Sequence, residues 1–327
     1  MRGRRRFDSM PGSAVMATLA QPAECVLTLP AAWVDAAKFE RALWLCGDAL
    51  GGPCTGVVVQ VPAGCKPMVE VIVRLLSFCN QACLMTKRVR LQFADDDQAA
   101  MGYLDRMGFF DHLSPSVEVS PSRPAVSGAR LHRGGNSGLV EIARFSGTEP
   151  AEDSLVVRLA ETARNSCSGR PDVAALHNAV FTILCELIGN VVEHSGSPLD
   201  AFAVLQTYPR GNKVRIAVSD SGFGVLETLR PALRKKGDPM AVLGDVDLLV
   251  EMFRKGVSRY DDDNRGTGLM ACAAHAIRFK ADLDVRLLRG RVLLKPAETE
   301  YQPNMAYLQV GLPLMWGTHI AFTLNLA

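Results

Sequence analysis

Short apolar runs alternate with stretches of helical period along the first half of the chain. The alternation from Glu24 to Pro30 predicts a first strand. Asp35 to Leu45 carries Phe39, Leu43 and Trp44 at helical spacing, and Gly51-Gly-Pro53 then marks a turn. Val57-Val-Val-Gln-Val61, bounded by Pro62 and Gly64, predicts a buried strand. Pro67 to Cys83 predicts an amphipathic helix with proline in its first turn. Val89 to Phe93 predicts another strand. Asp95 to Met107 predicts a helix that Gly108 ends, with Phe109 and Phe110 packing behind it. Strands alternating with helices predict a small α/β unit over 24–115.

The pattern lapses from Ser114 to Asn136, where Ser, Pro, Gly and Arg dominate. The segment 116–138 is therefore expected to be a linker, with Leu131 to Gly138 as a hinge. Periodicity returns with a short strand at Leu139 to Phe145 and a helix at Ala151 to Asn165. A second helix, opened by Pro171 and Asp172, carries Phe181 to Ser195. Leu199 to Tyr208 and Lys213 to Ser219 predict two strands joined by the turn Pro209 to Asn212. Helical pieces occupy Val225 to Tyr260. Strands at Ala281 to Leu288, Arg291 to Lys295, Ala306 to Leu312 and His319 to Leu324 complete the chain.

Candidate chemistry concentrates in three places in this second half. Glu186, Asn190 and His194 recur at intervals of four, which puts them along one face of a helix. A buried carboxylate needs a partner, and a metal ion with its bound water is one that suits Glu and Asn together. Val214 to Ser219 runs as a strand into Asp220, followed by Gly222 and Gly224. Asn264-Arg-Gly-Thr-Gly-Leu269 is a second glycine turn opening a helix through Phe279, and such turns present backbone N–H groups suited to phosphate. The glycines make neither a Rossmann fingerprint nor a P-loop.

The order of these three stretches resembles the GHKL ATPases, the gyrase, chaperone, histidine-kinase and mismatch-repair ATP-binding superfamily. Glu186 to His194 corresponds to the N box, Asp220 to Gly224 to the G1 box, and Gly266 to Gly268 to the G2 box. Thr318 matches a threonine that supports the adenine site. The resemblance implies an α/β sandwich over 139–327, a mixed sheet with helices on one face. It implies ATP and Mg²⁺ as cofactors, with Asn190 as the magnesium ligand and Glu186 as the general base. Asp220 would accept from the adenine amine, against the plainer reading of a turn Asp bonding its own loop. Gly222 and Gly224 would admit the base. His194, Arg265, Gly266, Thr267 and Gly268 would meet the phosphates, Arg265 standing where other members carry further glycines; for His194 a capping role at the helix end is the alternative.

The first half, above all Gln98 to Phe110, is similar to the STAS domains of anti-sigma-factor antagonists. It lacks their Asp-Ser-Ser-Gly phosphorylation stretch, so no phospho-switch is expected. Together the resemblances imply a regulatory ATPase or a serine/threonine protein kinase like the anti-sigma-factor kinases. The alternative is a nucleotide-gated interaction module with little turnover. A sensor histidine kinase lacks its acceptor, because Ala151 to Asn165 holds no His. A protein partner would bind through the N-terminal unit or the lid, Val225 to Tyr260, and a homodimer is a further option. A non-enzymatic scaffold is the remaining class.

Composition adds limits. With 327 residues, 48% of them hydrophobic, the chain has ample core for two units. A net charge of +2 implies no general affinity for nucleic acid. No run of 18 apolar residues predicts a membrane span. Nine cysteines without metal-ligand spacing fit a reducing, cytoplasmic location. Residues 1–23 open with a basic Met1 to Arg6 and are expected to be a disordered tail, or to precede a true start at Met10 or Met16.

Overall fold

The computed structural model describes residues 24–94, 98–146, 153–194, 196–255, 267–305 and 308–327. The expected basic tail lies outside these residues. The N-terminal half runs β1 (Glu24–Thr28), β2 (Trp33–Val34), α1 (Ala36–Cys46), β3 (Gly56–Val61), β4 (Lys66–Pro67), α2 (Val69–Leu84) and β5 (Arg88–Phe93). It continues with α3 (Gln98–Arg106), α4 (Phe109–His112), β6 (Glu118–Ser120) and α5 (Gly128–Leu131). Its main sheet has the order β1-β3-β5-β6, every pair parallel. Asp35 caps α1 by accepting from Lys38 N at 3.0 Å, and Gly47 ends the helix at φ 87°.

The expected linker carries β6 and α5. Arg123 fixes it by donating to the carbonyls of Leu113, Ser114 and Val117 at 3.1, 2.7 and 3.3 Å. A sequence poor in periodicity is held here by side-chain bonds, further ones being Gly128 N to Asp105, Ser127 to Asp111 and Arg106 to His132 O. Pro67 lies before α2 rather than in its first turn, because Lys66–Pro67 pairs with β2.

The C-terminal half runs β7 (Leu139–Phe145), α6 (Asp153–Ser166), α7 (Val173–His194), β8 (Ala201–Tyr208), β9 (Lys213–Ser219), α8 (Val225–Lys236), α9 (Asp245–Lys255) and α10 (Thr267–Arg278). It ends with β10 (Asp282–Leu287), β11 (Gly290–Ala297), β12 (Glu300–Pro303), β13 (Gln309–Val310) and β14 (His319–Asn325). The sheet order is β12-β11-β10-β14-β9-β8-β7, with β13 beside β11. All its described strand pairs are antiparallel, so the expected mixed sheet is corrected: parallel pairing belongs to the N-terminal half. The strand expected at Ala306 to Leu312 reduces to β13, and residues 306–307 lie outside the described set. The unforeseen β12 buries Tyr301, whose hydroxyl donates to Ala281 O at 2.9 Å.

Period-two alternation divides the sheet between two cores. Val214, Ile216 and Val218 of β9 face α6, α7 and α10, in one core with Leu184, Leu187 and Leu283. Ala217 of β9, Ala321 of β14 and Phe202 and Val204 of β8 belong to the other core, shared with the N-terminal half. Helices therefore do not cover one face alone: α2 lies across the opposite face, against β8, β9 and β14.

This is why α2 is not an amphipathic surface helix. Every residue from Val69 to Ala82 is buried. Its polar stripe, Glu70, Arg74, Ser77 and Gln81, points at the C-terminal sheet instead of at water. Tyr208 of β8 accepts from Val69 N at 3.2 Å, satisfying a donor of the first turn that Met68 leaves without a side-chain cap.

Candidate functional site

A cleft opens between α7, α9 and the helical side of the sheet. Leu187, Asn190 and Val191 of α7 form one wall; Leu249, Met252 and Phe253 of α9 form another. Val218, Ile320 and Leu269 add apolar surface, while Asp220, Asn190 and Thr318 supply the polar groups.

Asp220 follows β9 directly, so the alternation that turns Val218 into the cleft turns Asp220 there also. Its carboxylate is 7% exposed. Oδ1 accepts from Gly222 N at 2.7 Å and Oδ2 from Thr318 N at 2.9 Å. One carboxylate thus makes the bond of a turn Asp and also ties the ends of β9 and β14 together. Burial pushes its pKa up to about 6, against the pull of those two N–H donors.

The glycines around Asp220 answer to space and to backbone conformation. Gly317, at φ 94°, lies where any β-carbon would overlap the Asp220 backbone. Gly224, at φ 91°, takes a backbone conformation that L side chains rarely adopt. Thr318 Oγ1 accepts from Val225 N at 2.9 Å, which fixes the first turn of α8 to the same corner.

Glu186 and Asn190 share the face of α7 that approaches the cleft. Asn190 lines it, and Glu186, half-buried, stands against Gly268 in the first turn of α10. No Lys or Arg among the described residues pairs with Glu186. The cleft therefore gathers Asn190, Asp220, Gly224 and Thr318; Gly222 bonds Asp220, and Glu186 meets Gly268 one turn of α7 before Asn190. Thr267 begins α10 and His194 ends α7, but their side chains lie outside the described residues, as do Arg265 and Gly266. Among the described residues no group of three His, Cys, Asp or Glu is arranged to hold a metal.

The interval expected as a lid has several of its basic side chains paired within itself. Arg230 donates to Ala241 O at 3.0 Å and Leu243 O at 2.7 Å and pairs with Asp245 at 2.5 Å, tying α8 to α9. Arg254 and Lys255 both pair with Glu251. The α9 wall is absent from the sequence expectation, although Leu248, Leu249, Met252 and Phe253 carry its 3–4 spacing.

No protein-family model matches the chain, and no curated protein matches its sequence. Among the described helices, Val173–Glu193 is long and apolar enough to cross a membrane by composition. Leu184, Leu187, Ile188 and Val191 within it pack into the core.

Proposed function

We propose that the cleft binds ATP with Mg²⁺, in a GHKL-type site preceded by a STAS-like unit. The chain would be a regulatory protein that hydrolyses ATP or phosphorylates a serine or threonine of a protein partner. One observation carries this reading: a buried carboxylate, oriented by two backbone donors, in the lining of a mostly apolar cleft. The apolar walls suit a purine ring, and the remaining lone pairs of Asp220 suit its exocyclic amine.

The residues present fit the group. Asn190 would offer its side-chain oxygen to Mg²⁺, the rest of the shell coming from phosphate and water. Magnesium, when bound, neutralises phosphate charge. Glu186 would take the proton of the attacking water or hydroxyl as the oxygen–phosphorus bond forms and ADP leaves. Gly268 keeps α10 close to that carboxylate, and Thr318 holds Asp220.

Partner binding fits the N-terminal half, where Trp33, Trp44 and Leu45 are exposed. The nine cysteines are free thiols, which supports a cytoplasmic, reducing setting.

Calorimetry with ATP and Mg²⁺ tests the reading. Wild type binds and Asp220→Asn does not. Phosphate release abolished by Glu186→Ala identifies an ATPase, label retained on protein a kinase, and binding with neither product a nucleotide-gated module. Wild type that binds no ATP overturns the proposal.

A further inference from the structure

Gln81 sits in the last turns of α2, in the N-terminal half, and is 1% exposed. Its carboxamide is used on both sides. Nε2 donates to Ser221 Oγ at 2.9 Å and to Trp316 O at 2.9 Å, while Oε1 accepts from Trp316 N at 3.0 Å. Ser221 follows Asp220 directly. Trp316 precedes Gly317 and Thr318, whose amide holds Asp220 Oδ2. One side chain from the far side of the sheet therefore grips both segments that orient the cleft carboxylate.

A second contact one helical turn earlier repeats the grip. Ser77 Oγ lies 2.9 Å from Ser219 Oγ, which bonds His319 Nδ1; His319 Nε2 lies 3.1 Å from Trp316 O. A carbonyl only accepts, so Nε2 carries the proton and Nδ1 accepts from Ser219. Ser219 has then spent its proton, and Ser77 must be the donor to it. The directions along this relay are fixed, and it converges with Gln81 on the Trp316 carbonyl.

We infer that Gln81 is a positioning residue for Asp220, so that the base-recognising end of the cleft is completed by a helix of the N-terminal half. The inference deepens the nucleotide reading above and rests on it. It gives α2 a task beyond packing: a shift of this helix, of the kind a partner on the N-terminal half would impose, moves Ser221 and Trp316 and with them the carboxylate.

The test is titration of wild type, Gln81→Leu and Ser221→Ala with ATP and with inosine triphosphate, which has a carbonyl in place of the exocyclic amine. Backbone hydrogen exchange is measured on the nucleotide-free proteins. Gln81→Leu weakens ATP at least about tenfold, the loss expected for about one net hydrogen bond at the base. Inosine triphosphate, which does not use that bond, changes by less than about twofold. Ser221→Ala, a milder change, weakens ATP in the same sense. Exchange at Gly222 and Thr318 accelerates in Gln81→Leu. ATP affinity unchanged in both variants overturns the inference, as does an equal loss for both nucleotides, which marks a merely structural role. If wild type binds neither nucleotide, the ATP reading fails by itself. Exchange then decides Gln81 alone: faster at Gly222 and Thr318 upholds the positioning, unchanged overturns it.

Discussion

A β-carbon at position 268 would overlap Oε2 of Glu186. The first turn of α10 is thus seated directly on the carboxylate that α7 presents, and the absence of a side chain at 268 leaves that carboxylate its place.

Gly268→Ala should therefore push the Glu186 carboxylate, the far end of a flexible and half-buried side chain, into another rotamer. A side chain forced off its preferred rotamer costs about 0.5–1.5 kcal/mol. Removing the other partner relieves it: Glu186→Ala in the Gly268→Ala background should be more stable than Gly268→Ala alone. A double-mutant cycle by urea unfolding measures the coupling. Additive effects would separate the two residues.

Asp220 gives the cleft a pH signature. With its pKa near 6, the carboxylate is an acceptor above that pH and a neutral carboxyl below it. An adenine amine needs the acceptor, whereas the carbonyl of inosine triphosphate suits the protonated form as well. Preference for ATP over inosine triphosphate should shrink as pH falls through about 6. Phosphate titration is common to both nucleotides and cancels in the ratio of their dissociation constants. A ratio flat from pH 5 to 8 would remove Asp220 from base recognition.

What was legible in the sequence was local. Asp220 stands where a strand ends in Gly-rich chain, and both signals survive without knowledge of the fold. The i, i+4 spacing of Glu186 and Asn190 likewise follows from helix geometry alone. Long-range relations were not legible. Glu70, Arg74, Ser77 and Gln81 at spacings of four, three and four read as the wet face of an amphipathic helix, because period says which residues share a face and not what that face meets. A second sheet buries that face. Similarly, Arg286 and Asp284 alternate with Leu283 and Val285 as strand residues facing water would, and their partners, Glu40 and Arg74, lie more than two hundred positions away.

Those partners make the interface electrostatically demanding. Glu40 lies fully buried between Arg286, whose Nε is 3.0 Å from Oε2, and Arg74, whose Nη1 is 3.5 Å from Oε1. Arg74 also reaches Asp284 at 2.6 Å, and Arg291 pairs with the same carboxylate. Glu40→Ala leaves two buried guanidinium groups short of a counter-charge and should cost about 3–5 kcal/mol. Replacing Glu40 and Arg286 together by Met should cost less than Glu40→Ala alone. Because the charges straddle both halves, hydrogen exchange in β3 and in β8 should accelerate together in Glu40→Ala. Acceleration confined to β3 would show that the halves unfold independently.

His319 sets the acid side of the stability curve. Burial, with Arg74 and Arg286 nearby, holds its pKa well below the usual imidazole value of 6.5. The relay through Ser219 and Trp316 likewise uses the neutral ring. The unfolded chain takes up a proton below about pH 6.5 that the native chain refuses, so stability falls as pH drops through that value, by up to about 1.4 kcal/mol per pH unit. Half-buried His112, whose pKa desolvation also lowers, acts in the same direction. Asp220 acts oppositely: between its ordinary 3.8 and about 6 the native state keeps a proton that the unfolded state has released, so its contribution grows as pH falls. Urea midpoints taken from pH 7.5 to 4.5 should therefore decline from about pH 6.5. The decline should be shallower in His319→Gln and steeper below pH 6 in Asp220→Asn. A His319→Gln curve parallel to wild type would mean that the buried imidazole is protonated in the native state; Nδ1 would then donate to Ser219 and Ser219 to Ser77, while Nε2 still donates to Trp316 O.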